Sequence, residues 1–283
     1  MIDGTQYALA ALVCYGLGDF IYKRATVAGA APRHFLMVQG WVFCPAVFLF
    51  AWATSTLEIG PSAAWGALAG LFIFIGFYNF LRSLAAGSVS VNAPIFRLNF
   101  VITAILAIAV LGERVTAAMP VALALALATV WLLLGGLDRG QPEKIDRHSL
   151  RTVLIATVAL GAGNFFHAMG LRHGSPPETL LVSQAIVFAA LATAFVRVVD
   201  GAIKPPAATW RHPAAAAIVL MCAFLFMLHG LTRGPASVLV PIAQMGFVVT
   251  AALGILVLRE PLTARKAAGL AAALAALAVL AFG

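Results

Sequence analysis

Ten runs of roughly twenty residues pass along this chain with almost no charge: about 7–27, 35–55, 63–83, 88–111, 117–136, 151–172, 179–199, 213–233, 236–258 and 265–282. An apolar run of about 18 residues or more is long enough to cross a bilayer as a helix. Inside hydrocarbon a backbone must satisfy its own hydrogen bonds, so only helices and closed barrels span. A barrel needs short segments of alternating polarity, whereas these runs are unbroken and rich in Ala, Leu and Gly. Composition agrees: 63% of residues are hydrophobic and 10% charged, against about 25% charged in a soluble domain. That is too little charge to cover a water-facing surface. The expected fold is an all-α integral membrane protein of ten transmembrane helices.

The formal net charge is +8. In a soluble protein such an excess points to nucleic acid. Here it lies in the connections between spans, so no nucleic-acid partner is expected and the lipid bilayer is the main surrounding. With side A defined as the face bearing the N-terminus, side A carries Arg114, Arg172 and Arg233. Side B carries Lys23, Arg24, Arg33, Arg82, Arg139, Lys144, Arg147, Arg151, Arg197, Lys204, Arg211, Arg259, Arg265 and Lys266. Positive charge stays on the cytoplasmic side, so side B is expected inside and both termini outside, in a bacterial inner membrane. Cys14, Cys44 and Cys222 sit within spans at no metal or redox spacing and read as packing residues. The start, MIDGTQ, has no basic n-region, so the first run is expected to remain as a membrane helix.

The chain is also duplicated. Residues 84–116 laid on 231–263, an offset of 147, give sixteen identities in thirty-three positions without a gap. Among them are Gly87/Gly234, Ser90/Ser237, Pro94/Pro241, Phe100/Phe247, Thr103/Thr250, Glu113/Glu260 and Thr116/Thr263. A second block aligns at an offset of 145: GLGDF (16–20) on GAGNF (161–165), Pro32 on Pro177, Gln39 on Gln184. The halves are 1–137 and 148–283, joined by a polar cytoplasmic linker at 138–147. Each half holds five spans. An odd number turns the second copy upside down in the membrane, and inverted repeats are a signature of secondary transporters with a site near the midplane.

Two copies of one ending carry a resemblance. Each half has a proline early in its fourth span, then LGERVT (111–116) or LREPLT (258–263). In these features the chain resembles the drug/metabolite transporter superfamily, in its ten-helix branch of two EamA-type repeats. Within that branch the likeness runs toward YddG-type exporters of aromatic and other neutral amino acids. The resemblance implies a ten-helix basket around a central cavity built from the first four helices of each half, with the fifth and tenth peripheral. It also implies export of amino acids, other metabolites or drugs.

The polar residues inside the slab are the candidate site. A charge at mid-membrane costs about 2.5–3.5 kcal/mol, so it faces a cavity or a partner. At about 1.5 Å of rise per residue, Arg97 lies roughly 13 Å and Asp19 roughly 12 Å from side B. Equal depths let the two meet across a cavity. Alternatively Arg97 is free to hold a substrate carboxylate, whose geometry suits its planar fork, or it snorkels to the interface. The repeat places neutral Asn164 and Gln244 at the matching posts of half two. Tyr78, Asn79 and Arg82 share a stretch of span three, with His229 as the mate of Arg82. Tyr22 and His167 are mates, as are Gln39 and Gln184, and Trp41 adds aromatic surface. Arg97, Tyr78, Asn79, Asp19, Gln39, Trp41, Asn164, His167, Gln184 and Gln244 are therefore the candidate substrate contacts, although buried Asn, Gln and His also commonly bridge helices. Pro94 and Pro241 are candidate hinges, since proline interrupts the helical ladder, with Arg82 and His229 as gate residues. Glu113 and Glu260 read as helix-end caps, with Thr116 and Thr263 capping the helices that follow. GALAG (66–70) reads as a close helix contact.

The expected function is a secondary transporter exporting small organic solutes, amino acids including aromatic and neutral ones foremost, by alternating access. No GxxxxGK[ST] loop for ATP is present. No cofactor is expected, nor a metal cluster or nucleophile–base spacing of an enzyme. One chain already holds both halves, so a monomer suffices. Exporters of other metabolites or drugs, and a non-transporting scaffold or receptor, are the alternatives.

Overall fold

The computed structural model describes residues 3–58, 60–86, 95–113, 118–134, 147–205, 210–258 and 264–282. Every described element is a helix. Half one holds α1 (Gly4–Val27), α2 (Pro32–Ala53), α3 (Ala63–Ala86), α4 (Asn99–Leu111) and α5 (Ala118–Leu134). Half two holds α6 (Arg147–Arg172), α7 (Pro177–Asp200), α8 (Arg211–Leu231), α9 (Ala236–Gln244), α10 (Phe247–Leu258) and α11 (Ala264–Phe282). The linker expected at 138–147 falls almost entirely outside the described residues. Five helices are long and apolar enough to cross a membrane: α2, α3, α6, α7 and α8. The apolar stretches 95–111, 119–129, 236–250 and 267–276 are shorter. α1 is not among the five; it carries Asp19, Gln6 and three tyrosines within its 24 residues.

The repeat is visible in how helices begin. Pro32 and Pro177 open α2 and α7, where a missing N–H costs nothing and the fixed φ is already helical. Just upstream, the mates Gly29 and Gly174 hold φ of 75° and 81°. A left-handed residue there turns the chain back into the membrane, and glycine adopts that region without a Cβ penalty.

Packing exchanges partners between halves. α1 lies along α8, and α3 lies along α6, the same pair seen through the repeat. α2 packs on α7 across the middle. Gly66 and Gly70 make α3 a close neighbour of α7: a Cβ on either would sit 2.4 Å and 2.5 Å from the backbone oxygens of Leu180 and Gln184. The GALAG stretch is thus a close contact, as the sequence leads one to expect. α5 and α11 pack chiefly on each other, with Arg265 over the Trp131 ring at 4.7 Å. They sit outside the central group, in the peripheral place the resemblance implies.

Spans four and nine are broken at matching points. Residues 95–97 are helical, Leu98 interrupts, and α4 continues; likewise α9 stops at Gln244 and α10 resumes at Phe247. At both breaks the ladder tightens to i→i+3 bonds: Leu98 N–H to Ile95 O at 3.1 Å, and Met245 N–H to Ile242 O at 3.2 Å. What packs there explains the position. Gly16 of α1 lies so close to the second break that a Cβ would come within 2.4 Å of the Gly246 oxygen. Thr250 donates its hydroxyl to the Gly16 oxygen at 2.9 Å. The mirror image is present: a Cβ on Gly161 would lie 2.8 Å from the Asn99 oxygen, and Thr103 donates to the Gly161 oxygen at 3.0 Å. Each half's first helix seats on the broken helix of the other half. Two five-helix repeats of opposite orientation therefore interlock around the centre. Pro241 lies inside α9, ahead of the break rather than at it. Pro94 lies outside the described residues.

Candidate functional site in the cavity on the repeat axis

A small, narrow cleft lies where the halves meet. Eight of its eleven lining residues form four repeat pairs: Tyr15 with Leu160, Asp19 with Asn164, Phe77 with Phe224, and Arg97 with Gln244. Tyr22, Phe96 and Leu220 complete the wall. A cavity lined in matched pairs sits on the pseudo-twofold axis. On α1 the lining residues Tyr15, Asp19 and Tyr22 fall at i, i+4 and i+7, one helical face, running from the middle of that helix toward its side B end. The cavity therefore extends from mid-slab toward side B.

Arg97 stands on the short helical stretch before the first break and is 6% exposed. It forms an ion pair with Asp19 and donates from Nη1 to Gln244 Oε1 at 3.2 Å. The depth match read from sequence is realised, and the guanidinium does not snorkel to the interface. Its second partner is its own repeat mate. One cation thus ties α1, span four and span nine together at the axis. Around it the wall is aromatic: Tyr22 stacks on Phe77 at 5.8 Å, Phe77 meets Phe96 at 6.0 Å, and Tyr15 sits edge-on to Phe224 at 5.6 Å. Asn164, mate of Asp19, donates to Asn99 Oδ1 at 3.3 Å. The arrangement offers a cation, an anion and amides within an aromatic enclosure, suited to a small amphiphilic solute rather than a bare ion.

The family model of EamA-like transporters matches the chain twice, over residues 3–135 and 149–282. The chain belongs to the EamA-like transporter family. It is a multi-pass membrane transporter of small solutes. A protein of known crystal structure superimposes on this transporter with a TM-score of 0.80 at 18% identity, covering 98% of this chain and 95% of the other. At that identity the likeness speaks for the fold alone. No curated protein matches the chain.

The other polar residues singled out from sequence divide into neighbours of the transporter's cavity and residues elsewhere. Gln39 is buried and accepts the Tyr22 hydroxyl, so it supports the wall from behind. His167 and Gln184, the mates of Tyr22 and Gln39, are also buried and their side chains interact with each other. His167 meets the cavity residue Phe224 edge-on at 5.9 Å. Tyr78 packs on Phe195 of α7 at 4.5 Å and under Arg82, and Asn79 donates to Ile75 O in its own helix. Arg82 reaches His148 at 3.1 Å. Trp41 donates to Thr193 of α7 at 2.9 Å. None of these last four lines the cavity. Tyr15, Phe77, Phe96, Leu160, Leu220 and Phe224 line it and are absent from the sequence-based set.

Bonds between the halves gather on side A. Glu113, one residue past Gly112 where α4 ends, accepts from the backbone N–H groups of Ala236 and Ser237 at 2.9 Å and 2.8 Å. It caps the start of α9, in the other half, rather than the next helix of its own. An ionised carboxylate on free N–H groups at a helix start is favoured by both hydrogen bonding and the helix dipole. Arg172 donates to the Leu111 oxygen. Thr179 of α7 receives the Glu58 N–H at 2.9 Å and donates to Thr56 O at 3.1 Å. Beside it Glu178 meets His229 at 2.8 Å, which puts His229 at the side A face. Glu260, Thr116 and Thr263 lie outside the described residues.

Proposed function

We propose that this transporter is a secondary carrier that exports amino acids, neutral and aromatic ones foremost, by alternating access. The observation that carries the reading is the paired lining of the cavity on the repeat axis. A site shared by two inverted copies is one that each copy can expose to its own side of the membrane. Arg97 suits a carboxylate through its planar fork, Asp19 suits an ammonium, and the aromatic wall suits a neutral side chain. A zwitterion thus replaces, group for group, the pair that Asp19 and Arg97 make with each other. Tyr22 with Gln39, and His167 with Gln184, support the wall. The positive-inside asymmetry puts side B in the cytoplasm and both termini outside, in a bacterial inner membrane. The conformation then has its cavity toward the cytoplasm and its outer face closed. Movement down the solute gradient alone is favoured, since no glutamate lies at depth among the described residues and Asp19, which lines the cavity, is paired with Arg97. The transporter acts as a monomer.

The test is counterflow in proteoliposomes with a panel of amino acids, with and without an imposed pH gradient. Transport of L-leucine or L-phenylalanine is expected, indifferent to the gradient, and abolished by Arg97→Ala. Failure of every amino acid in the panel refutes the solute class. The second reading is a non-transporting scaffold, favoured by an arginine paired to protein groups, as Arg97 is with Asp19 and Gln244; absence of counterflow for every solute tested would support it.

A further inference from the structure

We propose that Tyr15 is a solute-binding residue, and that the solute lies across the repeat axis with its ionic end on half one and its apolar body on half two. This rests on the amino-acid reading above and adds the third anchor and the direction in which the solute lies.

The lining pairs differ in one consistent sense. Half one contributes Tyr15, Asp19 and Arg97 where half two contributes Leu160, Asn164 and Gln244. Duplication begins with equal copies, so an imbalance gathered at the cavity wall marks the two ends of what the cavity holds. The fourth pair, Phe77 and Phe224, is aromatic on both sides.

Tyr15 is the residue whose chemistry is left open. It is 6% exposed, and its hydroxyl has no hydrogen-bond partner among the described residues. A buried polar group without a partner is unfavourable by about 1–3 kcal/mol, and such groups in native proteins call for an explanation. Phenylalanine would fill the same space without that penalty. The ring is held edge-on by Phe224 and stands one helical turn before Asp19 on the same face of α1. The hydroxyl is within electrostatic reach of the Arg97 guanidinium. A carboxylate oxygen drawn to Arg97 is therefore a group that this O–H can donate to. On half two the side chains of Leu160, Leu220 and Phe224 are apolar, and the amides of Asn164 and Gln244 are engaged with Asn99 and Arg97. A neutral apolar or aromatic side chain rests there at no electrostatic cost. A charged side chain would be left unpartnered, so acidic and basic amino acids are excluded by desolvation.

The experiment compares counterflow of L-leucine and L-phenylalanine by wild type, Tyr15→Phe and Leu160→Ala in proteoliposomes, with melting temperature as a check on folding. Tyr15→Phe is expected to raise KM about tenfold for both solutes, the loss of one hydrogen bond to a charged group, with the maximal rate kept. It is also expected to melt no lower than wild type in the absence of solute, since a purely structural hydroxyl would lower the melting point instead. Leu160→Ala enlarges the apolar end and is expected to shift preference toward L-phenylalanine several-fold, while L-phenylalanine methyl ester remains a poor competitor. An unchanged KM in Tyr15→Phe overturns the anchor. An unchanged preference in Leu160→Ala overturns the orientation. If wild type moves neither amino acid, the solute class itself has failed and the inference falls with it; if wild type moves them and only the variants disappoint, the inference alone has failed.

Discussion

Asp19→Asn and Arg97→Gln each write into half one the residue that half two already holds at the matching post. Each alters charge more than shape, which makes the pair a clean double-mutant cycle. Asp19→Asn removes the anion and leaves the Arg97 cation with neutral amide acceptors, Gln244 Oε1 among them. Breaking one partner of a buried ion pair costs about 3–5 kcal/mol. The Asp19 side chain is 25% exposed on the cavity, so water takes over part of its role and the lower end, about 3 kcal/mol, applies. Arg97→Gln strands the better-hydrated partner and should cost about half as much. The double variant has amides in both halves and no uncompensated charge, so the two substitutions should couple by about 3 kcal/mol, near the upper end for residues in contact. Denaturation of the purified protein in mixed detergent micelles, titrated with SDS, reads all four corners of the cycle. If the single costs add to within about 0.5 kcal/mol, Asp19 and Arg97 act independently and the pair does not organise the axis.

Other expectations concern the latch, the helix crossing and the helix contacts away from the cavity. Glu113→Gln removes the charge from the cap on Ala236 and Ser237, at a cost of about 1–2 kcal/mol. It should speed labelling of a Ser237→Cys reporter by a membrane-impermeant thiol reagent, and equal rates with and without the substitution would show that the cap does not hold side A. Gly16→Ala drives a Cβ against the Gly246 backbone oxygen, and should lose about 3 kcal/mol, the upper end for overpacking, seen as a lower melting point and poor yield. Trp41→Phe deletes the bond to Thr193 between α2 and α7. It should lower stability by about 1 kcal/mol and leave the KM for solute unchanged in the counterflow assay.

Sequence reasoning reached furthest where a number could be compared. Spans were readable because length and hydropathy alone define them. The inversion was readable because five is odd. The meeting of Asp19 with Arg97 followed from two depths measured along two helices. Facing was harder. A helix apolar on all sides carries no polar stripe to fix its rotation, so Tyr78, Asn79 and Arg82 could not be separated from Phe77, one residue away, which lines the wall. Tyr15 had a usable signal: with Asp19 and Tyr22 it makes an i, i+4, i+7 face, and its mate Leu160 lies opposite. The place where spans four and nine break was not at the conspicuous prolines. α9 runs on through Pro241, since one missing N–H removes one bond, and the ladder gives way where the backbone of α1 presses against Gly246. That contact joins residues more than two hundred positions apart, and no local pattern announces it. Glu113 was legible as a cap, but not that the capped helix belongs to the other copy.

The crossing of Gly16 over Gly246 bears on how such a molecule can be articulated. With no side chain between the two backbones, and Thr250 bonded to the Gly16 carbonyl, α1 cannot slide past the α9–α10 elbow; the two must travel as a single lever. Gly161 with Asn99 and Thr103 makes a second lever from α6 and span four. Swivelling is then left to the short connectors, where Gly29 and Gly174 already hold the tight bends, and the ion pair of Asp19 with Arg97 is a bond from one lever to the other.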